Sequence, residues 1–447
     1  MSVHDRGRNT QYGLRNTNHG SDSETLEKAI QSALEAASAD YAEIRIQEGR
    51  TTRVAYTGKE LEDIGESTDL GGSVRALVKG AWGFAAFNDI AELSRYVRMA
   101  CDQARLIGGG DARLAPVPPS RDRAVLAEGV DPSTVPLADK RELCARYNDL
   151  ILAAPKVQTS SVRYRDSHSA TYFASSEGHY IVQEVVFCGV IMVAVAKDGA
   201  DVQQAFHSVG DLRGYGNVQG LDGQCEEIAK RAGDLLSAKS VEGGKYTVII
   251  DPRLCGVFAH EAFGHLSEAD FVYENKKLRE IMQLGKRFGP DMLAIVDDGA
   301  MKGGAGTMAY DSEGTRTQKT YLIRDGVLVG RLHSRATAAK MGEPPTGNAR
   351  ALGYSFEPIV RMTNTYMEPR DWSFERMLET TDEGIYAIGS IGGSTNNEMF
   401  TFAAEQAFAI RGSKLAEPLR DVVLTGNVFE TLASIDAIGK DLQMHGG

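Results

Sequence analysis

Two histidines and a glutamate fall within six residues, His260-Glu261-Ala262-Phe263-Gly264-His265. Neutral imidazoles suit zinc, and a catalytic zinc site takes about three protein ligands plus a water. A metal bound there lowers the pKa of its water to about 7 and polarises a carbonyl. A carboxylate beside the first ligand is placed to take a proton from that water and hand it to a leaving amine. The pattern therefore points to metal-assisted hydrolysis, with His260 and His265 as ligands and Glu261 as general base. The spacing is one residue longer than the familiar His-Glu-x-x-His. Residues five apart on a regular α-helix are offset by roughly 140°, so the two histidines meet at one metal only if the helix is deformed. A local i→i+5 bulge achieves this, and such bulges favour functional sites. Gly264, directly before His265, would ease the distortion. Glu268, three residues after His265, is the in-chain candidate for a third ligand.

The motif needs a scaffold, and the flanks supply one. Tyr246-Thr-Val-Ile-Ile-Asp reads as a buried strand, and Pro252 opens the helix that carries the histidines. Before it, a helix begins near Ser23, with Leu26, Ala29, Ile30, Ala33 and Leu34 at helical spacing. Ala42-Glu-Ile-Arg-Ile-Gln alternates as a half-buried strand should. Further strands follow near 52–57 and 73–86, then a helix with Leu93, Val97, Ala100, Cys101 and Ala104 on one stripe. A Pro-containing connector spans 115–136. Helix, strands and helix then recur near 138–153, 157–197 and 223–238, an echo of 24–107 that suits either an internal duplication or the common α+β grammar. Beyond 293 the chain is rich in strand and turn signals, including a hairpin turning at Asp325-Gly326 and another with Gly412 in its loop. The reading is α+β: a leader at 1–23 without fixed structure, an N-terminal domain of antiparallel sheet with flanking helices at 24–240, and a β-rich C-terminal domain at 241–447 that carries the metal-binding helix. Asp297-Asp298-Gly299 reads as a turn, and Gly303-Gly-Ala-Gly306 as a loop without the lysine of a phosphate cradle.

Composition limits the function classes. Apolar residues make up 42% of the 447, which suits a chain with a real core. The net charge of −12 argues against a nucleic-acid partner. No apolar run is long enough to span a membrane, and the polar first residues do not resemble a secretory signal. Five scattered cysteines without CxxC spacing fit a reducing cytoplasm.

Several separated segments, in order, resemble the TldD/PmbA family, the modulators of DNA gyrase, in its TldD-like catalytic branch. They are 260–265, Ser267-Glu-Ala-Asp-Phe271, Val296-Asp-Asp-Gly-Ala-Met301, Asp311-Ser-Glu-Gly-Thr315, Thr346-Gly-Asn-Ala-Arg350 and Arg361-Met-Thr-Asn-Thr-Tyr-Met367. The resemblance covers the chain from about residue 24. It implies a cytoplasmic zinc metallopeptidase that trims unfolded or modified peptides. It also implies a dimer, with a related TldE/PmbA-type subunit or with a second copy. In the matching segments, Asn348, Arg350 and Arg361 would line the cleft and bind substrate main chain or a carboxylate. The family's third ligand is a cysteine in a segment after an Asp-Leu stretch. Here that stretch is Asp441-Leu442, and the cysteine is expected beyond Gly447. A second departure is Ser394-Thr-Asn-Asn-Glu-Met399, which replaces a family pattern expected along the substrate channel. The alternative is a non-catalytic partner subunit or peptide-binding scaffold of such a dimer.

Overall fold

Alternation in the first strand, β1 (Tyr41–Thr57), does what its pattern predicts: Ala42, Ile44, Ile46 and Val54 are buried on one face. The computed structural model describes residues 19–396 and 398–446, the side chains of 19–23 excepted. Helix α1 (His19–Glu35) begins ahead of the start expected near Ser23; residues 1–18 of the expected leader lie outside the described residues. β1 is followed by β2 (Glu60–Val78), β3 (Ala81–Phe87), α2 (Leu93–Ile107) and β4 (Arg121–Leu126). Then come α3 (Leu137–Leu152), β5 (Val157–Ser175), β6 (Tyr180–Asp198), β7 (Asp201–Asp211) and α4 (Asp222–Leu235).

These strands form one sheet, ordered β3-β2-β1-β5-β6, with β4 and β7 following one another along β6. β4 runs parallel to β6, and every other pair is antiparallel. The arrangement is symmetric about the β1–β5 pair. α1 and α2 cover β1–β3 through Ile30, Leu34, Val97 and Cys101, while α3 and α4 cover β5–β7 through Tyr147, Ile151, Cys225 and Ile228. All four helices lie on the face that holds Ala42, Ile44, Ile46 and Val54 of β1.

At its β2 side the opposite face meets the second half of the chain through charges. Arg75 pairs with Glu43 at 2.6 Å and with Glu313 at 2.9 Å, all three side chains nearly fully buried. Arg45 donates to the carbonyls of Gly353 and Phe356.

In the second half, β8 (Lys239–Ser240) and β9 (Val248–Ile250) join a five-stranded sheet with Glu383–Ile388, Gln406–Arg411 and Lys414–Arg420. A four-stranded sheet contains β10 (Ile295–Asp298), so Asp297 and Asp298 end a strand, and the expected turn follows directly at Gly299-Ala300, where the Ala300 N–H donates to Asp298. Both expected hairpins form. Asp325 and Gly326 take φ values of 50° and 72°, the twist that a two-residue hairpin turn needs. Among the described residues no helix is long and apolar enough to cross a membrane.

Candidate metal centre

Asp251 starts the histidine helix by accepting from the Leu254 N–H at 2.9 Å, with Pro252 in the first turn. Helix α5 (Pro252–Phe258) then widens into a π-helical turn over Ala259–Gly264, and the His265 N–H donates to the His260 carbonyl five residues back. The bulge expected from the spacing is present. It carries the fifth residue round to the side of the first. His260 and His265 stand with ring centroids 5.0 Å apart and planes at 86°. Ala259, Ala262, Phe263 and Gly264 face the core of the second half, which holds the turn in place.

Gly264 serves a purpose other than the one its flexibility suggests. Its φ of −58° is ordinary helix. A Cβ built there would stand 2.0 Å from Sδ of Met362. The glycine is required because a buried methionine packs directly beneath the turn.

His260, Glu261 and His265 each offer a ligand atom within 4.8 Å of the other two. Burial, aided by His265 and Arg350, pushes His260 down to about 4, so its ring is neutral. Burial also raises Glu261, with His265 opposing and Glu268 adding to it. Nδ1 of His265 lies 3.2 Å from Oε1 of Glu268, a contact that raises its pKa against burial. Nε2 faces the Glu261 carboxylate at 4.0 Å. Glu268, considered above as a third ligand, is outside the cluster. It sits behind His265 and pairs with Arg361 at 3.0 Å, fixing the ring from the far side. Cys255 borders the cavity, and burial pushes its thiol up to about 12.

The loop that brings Met362 under the turn is tied to β10. Asp297 accepts from the Thr363 N–H at 2.8 Å, the Thr363 hydroxyl at 2.7 Å and the Thr365 hydroxyl at 2.9 Å. Asn348 donates to Asp297 at 2.8 Å and to the Arg361 carbonyl at 3.0 Å. Asn348, expected to bind substrate, is buried, spends both contacts on holding the loop, and is not among the cavity-lining residues. Arg361 is part-exposed beside Glu268, and Arg350 is exposed close enough to act on the charge of His260. Arg350 also donates to the Met362 carbonyl at 3.4 Å, and neither arginine is among the residues that line the cavity. No pattern in the sequence distinguished the roles of Met362 and Asp297, because Met362 packs against the distant Gly264 and Asp297 ties to Thr363, 66 residues away in the chain.

The cluster opens into a cavity of about 680 Å³. His260 and Glu261 form one wall. Gly304–Gly306 and Thr363–Met367 form another, and Asp211 enters from the end of β7. The Gly-rich loop is pinned by its Gly306 N–H, which donates to the side-chain Oδ1 of Asn364 at 2.9 Å. Gly392 and Gly393 border the cavity, while Ser394–Asn396, which depart from the family pattern, continue the same strand and are not among the lining residues. The tail Asp441–Gly446 lines the same space, and His445 lies near Arg253 and Asp251, outside the cluster.

The chain matches the models for domain 1, the central domain and the C-terminal domain of the PmbA/TldA metallopeptidases over residues 42–104, 130–239 and 243–447. It is 45% identical over 405 residues to a metalloprotease of Synechocystis, covering 90% of this chain and 88% of that one. It is 29% identical over 415 residues to a zinc metalloprotease TldD homolog of Saccharolobus solfataricus, covering 92% and 91%. Its fold is similar to that of a putative modulator of DNA gyrase from Thermotoga maritima, with a TM-score of 0.81 at 18% identity over 95% of this chain and 97% of that one. TldE from Thermococcus kodakarensis has the same fold, with a TM-score of 0.76 at 18% identity over 93% and 94%.

Proposed function

Because this chain belongs to the PmbA/TldD metallopeptidase family, we propose that it hydrolyses peptide bonds at a zinc site held by His260 and His265, with Glu261 as general base. The observation that carries this reading is the π-helical turn, which gathers two imidazoles and a carboxylate within 4.8 Å, with His260 and Glu261 at the wall of a cavity. The donor set fits zinc: His260 is neutral, and the contact of His265 Nδ1 with Glu268 leaves Nε2 facing the cluster. Zinc bound there would supply a water acidic enough to ionise near neutral pH and would polarise the scissile carbonyl. Glu261, raised by burial, takes the proton from the attacking water and gives it to the leaving amine. Arg350, near His260, and Arg361, near His265, bind a substrate carboxylate or carbonyl.

The third ligand is proposed to come from a cysteine following the tail, as in the family, since Asp441–Gly446 already borders the cavity. Unfolded or modified peptides are the proposed substrates, in the cytoplasm, with a TldE/PmbA-type subunit or a second copy completing the enzyme. The alternative, a non-catalytic subunit or peptide-binding scaffold, draws on one observation. Among the described residues only two histidines and Glu261 gather at the site.

The deciding measurement is zinc content by mass spectrometry together with cleavage of an unfolded peptide by wild type and Glu261→Ala, partner present. The reading expects bound zinc and a loss of cleavage of about 10²–10⁴-fold in the variant. Zinc binding with cleavage that does not depend on Glu261 would refute the assigned base, and zinc binding without any cleavage would favour the scaffold.

A further inference from the structure

The face of the first sheet opposite its four helices carries an unusual row of residues. By strand register, Gly65 of β2 stands beside Arg53 of β1, Arg53 beside Arg165 of β5, Arg165 beside Gly189 of β6, and Gly189 beside Gly210 of β7. Two arginines thus face each other directly across the central strand pair. Like charges in that position destabilise a sheet. Both side chains are exposed, and among the described residues neither has a carboxylate or carbonyl partner. Asp63, diagonal to Arg53, makes no ion pair with either. Arg163 lies two residues along from Arg165, 65% exposed, with Glu62 only as near as 4.0 Å. In a chain of net charge −12, two exposed arginines without an acidic partner and a third with only a long contact to Glu62 make this face locally positive.

The row leads to the catalytic cavity. A Cβ on Gly189 or Gly210 would meet the ring of Phe187, so the path is floored by an aromatic ring with no side chain from either glycine. Ser208, beside Ile191 on the same face, accepts a hydrogen bond from Arg253 at 3.0 Å, and the Arg253 guanidinium also lies 4.9 Å from the centre of the Phe206 ring. Arg253, Asp211 and Gly446 all line the cavity. At about 4.8 Å per strand, Arg165 and Arg53 stand roughly 10 and 14 Å from Gly210, a distance that about four extended residues cover.

We propose that this face is an exosite for acidic stretches of the polypeptide substrate, in which Arg53 and Arg165, helped by Arg163, hold carboxylates several residues away from the scissile bond. The proposal rests on the reading that the cavity takes peptides. It adds a charge preference to a site that would otherwise discriminate little between sequences.

The test uses the full chain and three fluorescent peptides with one common core, followed by a tail of four glutamates, four glutamines or four lysines. Binding is read by anisotropy, which does not require cleavage, so failure of the exosite is distinguishable from failure of the peptidase assignment. Wild type should bind the acidic-tailed peptide about tenfold more tightly than the glutamine-tailed one at low salt, and the advantage should shrink as salt rises. In Arg53→Ala/Arg165→Ala the ratio should fall to about one, with the melting temperature unchanged or raised because a like-charge pair is gone. A charge-swapped Arg53→Glu/Arg165→Glu chain should prefer the lysine tail. If the ratio in the alanine variant equals that of wild type, the proposal is overturned. It is equally overturned if the variants change only the oligomeric state by light scattering, which would make the face a subunit interface.

Discussion

Replacing Gly264 by alanine tests the claim that close packing shapes the metal centre. The added Cβ would stand 2.0 Å from the Met362 sulfur and 3.3 Å from its terminal methyl. Met362 is itself nearly fully buried and tied to β10 through its neighbour Thr363, so it has little room to retreat. Overpacking of this kind costs about 1–3 kcal/mol. For a domain of this size that lowers the melting temperature by about 2–4 °C per kcal/mol. Because Gly264 immediately precedes His265, the clash also displaces one proposed ligand, and metal affinity should fall. Met362→Val removes the clashing sulfur and methyl and leaves a small cavity of its own. The double variant Gly264→Ala/Met362→Val should therefore recover much of the stability and metal affinity that Gly264→Ala alone loses. Differential scanning calorimetry and competition with a zinc chelator measure the two quantities. Strictly additive losses in the double variant would refute the reasoning, because they would mean the glycine and the methionine do not limit each other.

Two further outcomes follow from the charges. Glu268→Gln should weaken zinc binding by about 10–100-fold, the usual effect of losing a carboxylate behind a histidine ligand, with little loss of fold; unchanged affinity would show that Glu268 does not orient His265. Glu343 is held below its ordinary range by His333 and Arg331, although burial opposes them. A depressed carboxylate stabilises the fold above its unfolded pKa of about 4.3 and loses that contribution as pH falls further. Chemical denaturation between pH 7 and pH 3 should thus show a steeper acid-side loss for wild type than for Glu343→Gln, and identical slopes would count against it.

The sequence alone determined the chemistry-bearing triplet and the deformation it requires. His260 and His265 are five apart, and a chain that brings both to one metal must widen its helix, as the i→i+5 turn does. Strand and helix periodicity likewise marked most elements of the first half, because alternation in β1 and the stripe on α2 are consequences of burying one face. Other features depended on tertiary contact. Glu268 has a spacing that would serve a ligand, yet its carboxylate lies against the back of His265, since the helix tightens after the bulge and turns at Glu268. Asn348 lies in a segment rich in polar residues, but its amide is buried against Asp297, which became a strand residue because β10 is paired on both sides. Gly264 drew notice for backbone freedom and is needed for the space Met362 occupies. Local pattern records which residues face a core and which can share a turn. It carries no record of which distant segment fills the space beneath them, and that packing decided the roles of Glu268, Asn348 and Gly264.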